Sequence, residues 1–186
     1  MKILIVLFLF VITLPVMALD DSLLDYDLSE DNGYDDSNDV PWTEDSLNVI
    51  QPPNPNEFLP VAIDNPPVGF TIYIDESSLS VSQSDLIIRY WLILKAGKST
   101  NAIYEGMKCN TREYKSYAFQ NKWDKTKIKT NPVAKWQPIE TQTHNRFREE
   151  IRQYFFCDTL AARKRDDIIR RLKGQVNVNK YDDYLQ

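Results

Sequence analysis

The stretch from Leu86 to Phe119 constrains the fold more than any other, because there long runs of β-forming residues meet turn signals at hairpin spacing. Along its first run Leu86, Ile88, Tyr90, Leu92 and Leu94 alternate with Ile87, Trp91 and Ile93, so both faces of the strand are apolar and both require cover. That is the pattern of a central strand. Gly97-Lys98 then turns the chain, alternation continues from Asn101 to Cys109, and a two-residue Asn110-Thr111 connection leads into Arg112 to Phe119. The stretch reads as a three-stranded antiparallel meander.

Flanking patterns extend it. Phe70, Ile72 and Ile74 alternate with Thr71, Tyr73 and Asp75 in a further strand, and Ser77 to Val81 adds a short one. From His144 to Cys157 the period changes: Phe147, Ile151, Tyr154 and Phe155 recur at helical spacing, which predicts an amphipathic helix packed on the sheet. A second helix is expected from about Thr159 to Lys173, with Asp158 as N-cap, Gly174 as stop, and Leu160, Ile168, Ile169 and Leu172 as a thin apolar side. The expectation is an α+β fold: an antiparallel sheet of four to five strands with C-terminal helices packed on one face. Its domain spans residues 68–157, followed by a basic C-terminal helix and tail at residues 158–186.

The start of the chain reads differently. Lys2 precedes an apolar run from Ile3 to Val16, and Val16-Met17-Ala18 supplies the small residues of a cleavage site, so residues 1–18 read as a signal peptide cut after Ala18. The run is short for a membrane span, and the mature chain is not expected to be an integral membrane protein. Position 19 is Leu, which argues against lipoprotein processing. Residues 19–67 form an acidic and proline-rich leader and linker. Leu19 to Asp45 contains 11 acidic residues and no basic one, a composition that favours disorder, and QPPNPNEFLP opposes both helix and central strand. Trp42 and Phe58-Leu59 are the residues of this region able to dock on the domain.

Charge is segregated along the chain: 16 of the 27 acidic residues precede Arg89, whereas 21 of the 22 basic residues lie at or after it. Arg163, Lys164, Arg165, Arg170, Arg171 and Lys173 make the second helix a candidate surface for an anionic partner, with a solvated face as the plainer reading. Lys122, Lys125, Lys127 and Lys129 around Trp123 are spaced as in single-strand binders, but an exported acidic chain points away from nucleic acid, and lysines also guard sheet edges.

Candidate chemistry is sparse. Export favours a bridge between the two cysteines, Cys109 and Cys157, over a reactive thiol served by His144. Arg89 and Glu105, set nearly opposite each other by the Gly97-Lys98 turn, are expected to form a structural ion pair. Asp75, Glu76 and Asp85 cluster near turns but make a poor metal site with a single His in the chain. No catalytic residue, cofactor site or metal site is assigned, and five glycines leave little for a phosphate loop.

The order of motifs resembles the CNP-one-like family, small exported proteobacterial proteins named after a cryptic neisserial protein. The resemblance rests on PWTE at Pro41 to Glu44, FTIYIDESSLSV at Phe70 to Val81, IRYWLIL at Ile88 to Leu94 and YEGMKCNTREYKSYAF at Tyr104 to Phe119. Trp136-Gln137-Pro138-Ile139 and YFFC at Tyr154 to Cys157 follow in order. The resemblance covers about Trp42 to Cys157 and implies export and a shared domain; it supplies no catalytic residues. The long acidic leader and the lysine-rich stretch after Gln120 depart from it. The expected function is a periplasmic binding or envelope-interaction module, its partner an envelope protein or an anionic surface. The competing class is a small hydrolase using carboxylates or Tyr on the sheet face.

Overall fold

The computed structural model describes residues 41–47, 49–120, 127–141 and 145–178. The cleavage site, the leader up to residue 40, Lys122, Trp123, Lys125, His144 and the tail after residue 178 lie outside the described residues.

The meander is the centre of the sheet. Strands β4 (Ile88–Ala96), β5 (Ser99–Lys108) and β6 (Glu113–Gln120) pair antiparallel in sequence order, and the six residues Ile88 to Ile93 are all buried, as a strand covered on both faces demands. Gly97 turns the first hairpin with φ of +54°, a conformation glycine adopts without steric cost. The second connection takes four residues, Cys109 to Arg112, because Lys108 pairs with Glu113. Leu86 does not join β4: its φ of +59° turns it outward, while the Asp85 carboxylate accepts the Ile87 amide hydrogen at 3.1 Å.

Shorter strands fill out the edges. These are β1 (Phe58–Pro60), β2 (Thr71–Asp75), β3 (Ser80–Val81), β7 (Ile128–Thr130) and β8 (Gln137–Pro138). The order is β1-β2-β4-β5-β6-β7, with β3 beside β4 and β8 beside β6. Among the described residues the sheet therefore has eight strands, not four or five. The difference lies in strands of two or three residues, too short to show a period of their own. β2 and β3 share one edge of β4, and β7 and β8 share one edge of β6. The folded unit begins at Trp42, not Val68, because the proline-rich stretch supplies β1 and packs against the sheet.

The helices lie on one face. α1 (Arg146–Glu150) runs directly into a π-helical segment, Ile151–Phe156. The wider π turn rotates the face that meets the sheet, so Phe147, Ile151, Phe155 and Phe156 are buried while Tyr154 is only partly covered. Phe156 meets the Tyr90 ring edge-on at 4.8 Å. Cys157 follows and is bridged to Cys109, with Cα atoms 5.6 Å apart, tying the end of the helix to the β5–β6 connection.

The second helix is shorter than its sequence suggests. β9 (Cys157–Asp158) and β10 (Ala161–Ala162) form a small hairpin instead, with Thr159 at φ of +53°, and α2 spans Arg165–Leu172. Ile168, Ile169 and Leu172 are buried, whereas Leu160 is 60% exposed because it lies in the hairpin turn. Gly174, at φ of +68°, ends the helix as expected.

Candidate functional site

The face of the sheet opposite the helices is crossed by an irregular strap, residues 42–47 and 49–51, part of which the sequence suggests is a disordered leader. Its attachments pair side chains with main-chain groups and with one another. The Trp42 indole donates to the Asp85 carbonyl at 3.1 Å, and the Asp45 amide donates to the Asp85 carboxylate at 2.9 Å. Asp45 in turn accepts from Ser82 at 2.9 Å and Ser84 at 2.5 Å, while the Gln51 carbonyl accepts the Trp91 indole hydrogen at 2.8 Å.

Glu44 is the centre of the clasp. Its carboxylate accepts from Lys115 Nζ at 2.8 Å, the Tyr117 hydroxyl at 2.7 Å and Trp136 Nε1 at 3.2 Å. Burial alone would push this carboxyl up, but the hydrogen bonds from Lys115, Tyr117 and Trp136 and the Lys115 charge more than offset it and hold it below the usual carboxylate range. Asp85 is held lower still. Burial raises it, while Arg89 and the amides of Asp45 and Ile87 bring it down to about 2.

Sequence prepares this geometry at Gly106. It lies beside Arg89 on β4 and Lys115 on β6, and a Cβ there would stand 2.6 Å from the Tyr117 hydroxyl. The register shift after Tyr104 lets Tyr117 lean over that gap and reach Glu44.

Aromatic rings run across the face without a break: Trp91 to Tyr104 at 5.4 Å, Tyr104 to Tyr117 at 6.0 Å, Tyr117 to Trp136 at 6.5 Å and Trp136 to Trp42 at 6.5 Å. Cations are interleaved with them. Lys108 Nζ lies 3.4 Å from the Trp42 ring centre and 4.3 Å from that of Trp136, and Lys115 approaches Tyr117 at 5.2 Å. Two clefts open beside the strap, and Tyr104 walls both. One, of about 260 Å³, reaches Ser80, Ser82 and Arg89; the other, of about 320 Å³, reaches Ser78 and Trp91. The Arg89 Nε is buried with no hydrogen-bond partner among the described residues.

The expected Arg89–Glu105 pair does not form. Arg89 stands opposite Gly106 and Tyr90 opposite Glu105, a register one residue away from the expected one, so the two side chains point to opposite faces. Arg89 pairs with Asp85 on the strap side. Glu105, fully buried on the helix side, accepts from Arg148 at 2.6 and 3.0 Å. Arg148 also stacks on the Tyr114 and Phe147 rings, at 4.3 and 4.6 Å.

The basic helix is largely spent on internal contacts. Arg163, Arg170 and Arg171 pair with Asp167, Lys173 pairs with Glu76, and Arg165 donates to the carbonyls of Leu79 and Glu76. Lys164 precedes the first turn of α2. Nor are Asp75, Glu76 and Asp85 gathered into one site: Asp75 caps Ser77 and holds the Asn54 amide, while the other two face Lys173 and Arg89. Sequence reasoning passed over Glu44, Lys115 and Tyr104 as functional residues; the available signal was a tryptophan two positions before an acid in an otherwise featureless acidic run.

Among the described residues no helix is long and apolar enough to cross a membrane. In comparison with known proteins, a family model described as the CNP1-like family matches residues 37–173. No curated protein and no solved structure matches.

Proposed function

The chain belongs to the CNP1-like family, and on that footing we propose that it is an exported envelope module that binds its ligand on the strapped face of the sheet. The observation that carries this reading is the row of five rings from Trp91 to Trp42, interleaved with Lys108 and Lys115 and flanked by two clefts that share Tyr104. Aromatic walls with a few fixed polar groups supply contact area and orientation.

The polar groups favour binding over hydrolysis. Asp85 and Glu44 are held in the ionised form by their cation and hydrogen-bond partners, the opposite of what a general acid needs at neutral pH. Burial raises the hydroxyls of Tyr90, Tyr104 and Tyr117 above the usual tyrosine value, which disfavours a phenolate nucleophile.

Native mass spectrometry of the mature protein purified from an envelope extract tests the reading. A bound small molecule or peptide that disappears with Tyr104→Ala, in a variant that still melts cooperatively, is the expected result. A ligand retained by that variant, or turnover of an ester, amide or glycoside panel by the wild type, overturns it. N-terminal sequencing of the exported form should begin at Leu19.

A further inference from the structure

Lys115 Nζ, the Tyr117 hydroxyl and Trp136 Nε1 converge on one carboxylate from strand β6 and the connection entering β8, at 2.8, 2.7 and 3.2 Å. Gly106 keeps their meeting point open. The carboxylate they hold comes from the strap, and the described strap residues, 42–47 and 49–51, belong to no strand of the sheet. A segment that belongs to no strand lifts away without breaking a sheet ladder. Its receptor remains assembled when it does, because the donors are carried by the sheet and the adjoining connection.

The second contact of the strap has the same character. Two residues before Glu44, the Trp42 ring covers the Lys108 ammonium together with Trp136, yet Trp42 stays 50% exposed. Lys108 forms no ion pair among the described residues, so the face keeps an unneutralised cation even with Glu44 in place. We infer that the Lys108–Lys115–Tyr117–Trp136 surface is a recognition site for an extended acidic peptide, with an aromatic residue two positions before a Glu or Asp, on a partner protein. Trp42–Asp45 is its tethered occupant. The inference rests on the strapped face being the binding face, and gives that face a ligand class.

A peptide is the ligand the geometry selects. The spacing between ring and carboxylate is that of residues i and i+2 in an extended chain, whose side chains share one side. The tether holds its own segment at an effective concentration on the order of millimolar, so an incoming peptide competes against it and binds weakly until the clasp is loosened.

Fluorescence anisotropy with a labelled Pro-Trp-Thr-Glu-Asp peptide, and its Pro-Trp-Thr-Gln-Asn counterpart as control, tests this on the mature chain. Glu44→Gln should bind the acidic peptide at least about fivefold more tightly than the wild type, and Lys115→Met in that background should return affinity to the control level. Equal affinity of Glu44→Gln for the acidic and amide peptides overturns the proposal. A measurement on the wild type covers the case in which Glu44→Gln misfolds. Excess acidic peptide should speed hydrogen–deuterium exchange in residues 42–47 while leaving β4 unchanged; unaltered strap exchange is equally fatal. The envelope-ligand experiment with Tyr104→Ala separates the two readings: a ligand lost there, with no peptide effect here, removes the peptide class and keeps the binding face.

Discussion

The two faces of the sheet take charges out of water in different ways. On the helix side, Glu105 and Arg148 are sealed between β5 and α1, with 0% and 7% side-chain exposure and rings stacked on the guanidinium. On the strap side, Glu44 and Lys115 keep 20% and 17% exposure, and the segment carrying the acid has no regular structure. An ion pair in the interior cannot be half-opened without stranding a charge, whereas one at the rim exchanges protein for water at little cost. The helix side is therefore built to stay shut and the strap side to be opened.

Breaking the helix side should give the largest effects. Replacing both cysteines by Ser frees the closed loop between positions separated by 48 residues and should lower unfolding free energy by about 4 kcal/mol in the chain-entropy model, read from denaturant titration. Glu105→Gln leaves Arg148 uncompensated in a buried site and should cost about 3 kcal/mol or more in the same titration. Replacing the pair together, Glu105→Leu with Arg148→Met, should recover most of that loss; a double variant no better than the single one would show that the charges themselves hold the helix.

The strap side should respond less to substitution and more to acid. Glu44→Gln should lower global stability by about 1 kcal/mol or less, while strap exchange rises well before the core opens. Glu44 and Asp85 are both depressed in the folded chain, so the stabilisation they give is complete above the ordinary carboxylate range and is lost as pH falls through that range toward about 2, where Asp85 takes up its proton. Tryptophan fluorescence should report strap release over that acid window before circular dichroism reports loss of the sheet. The smallest effect is expected at Arg170, an exposed partner of Asp167, where replacement by Ala should change stability by under about 0.5 kcal/mol.

What the sequence made legible follows the range of the interactions. The meander and the main helix announce themselves through local periods, and the cysteine bridge through arithmetic. The Arg89–Glu105 pairing fails by one residue, enough to exchange faces: the turn at Gly97-Lys98 sets Ala96 opposite Ser99, and the same register carried along both strands sets Arg89 opposite Gly106 and Tyr90 opposite Glu105. The π turn is invisible to a search at helical period, which is why Phe156 takes the place given to Tyr154. The strap is the deepest omission. Proline and acidic residues mask it locally, and the partners of Glu44 lie 71, 73 and 92 positions further along the chain. Nothing within a window of the sequence pairs Glu44 with Trp136.

Those separations also set an order of events during synthesis. The residues of the strap are made before the sheet, but Trp136, the last of the Glu44 anchors, lies 92 positions further along the chain. Over that interval the β4–β5–β6 hairpins, whose pairings are local, have every opportunity to form, while the strap has nothing complete to grip. A segment made before the sheet is thus the last to find its place on it, and it travels until then with Trp42 exposed and its acids uncompensated. A nascent chain paused before Trp136 would display the sheet's aromatic row without its own cover, a moment at which the choice between neighbour and self is still open.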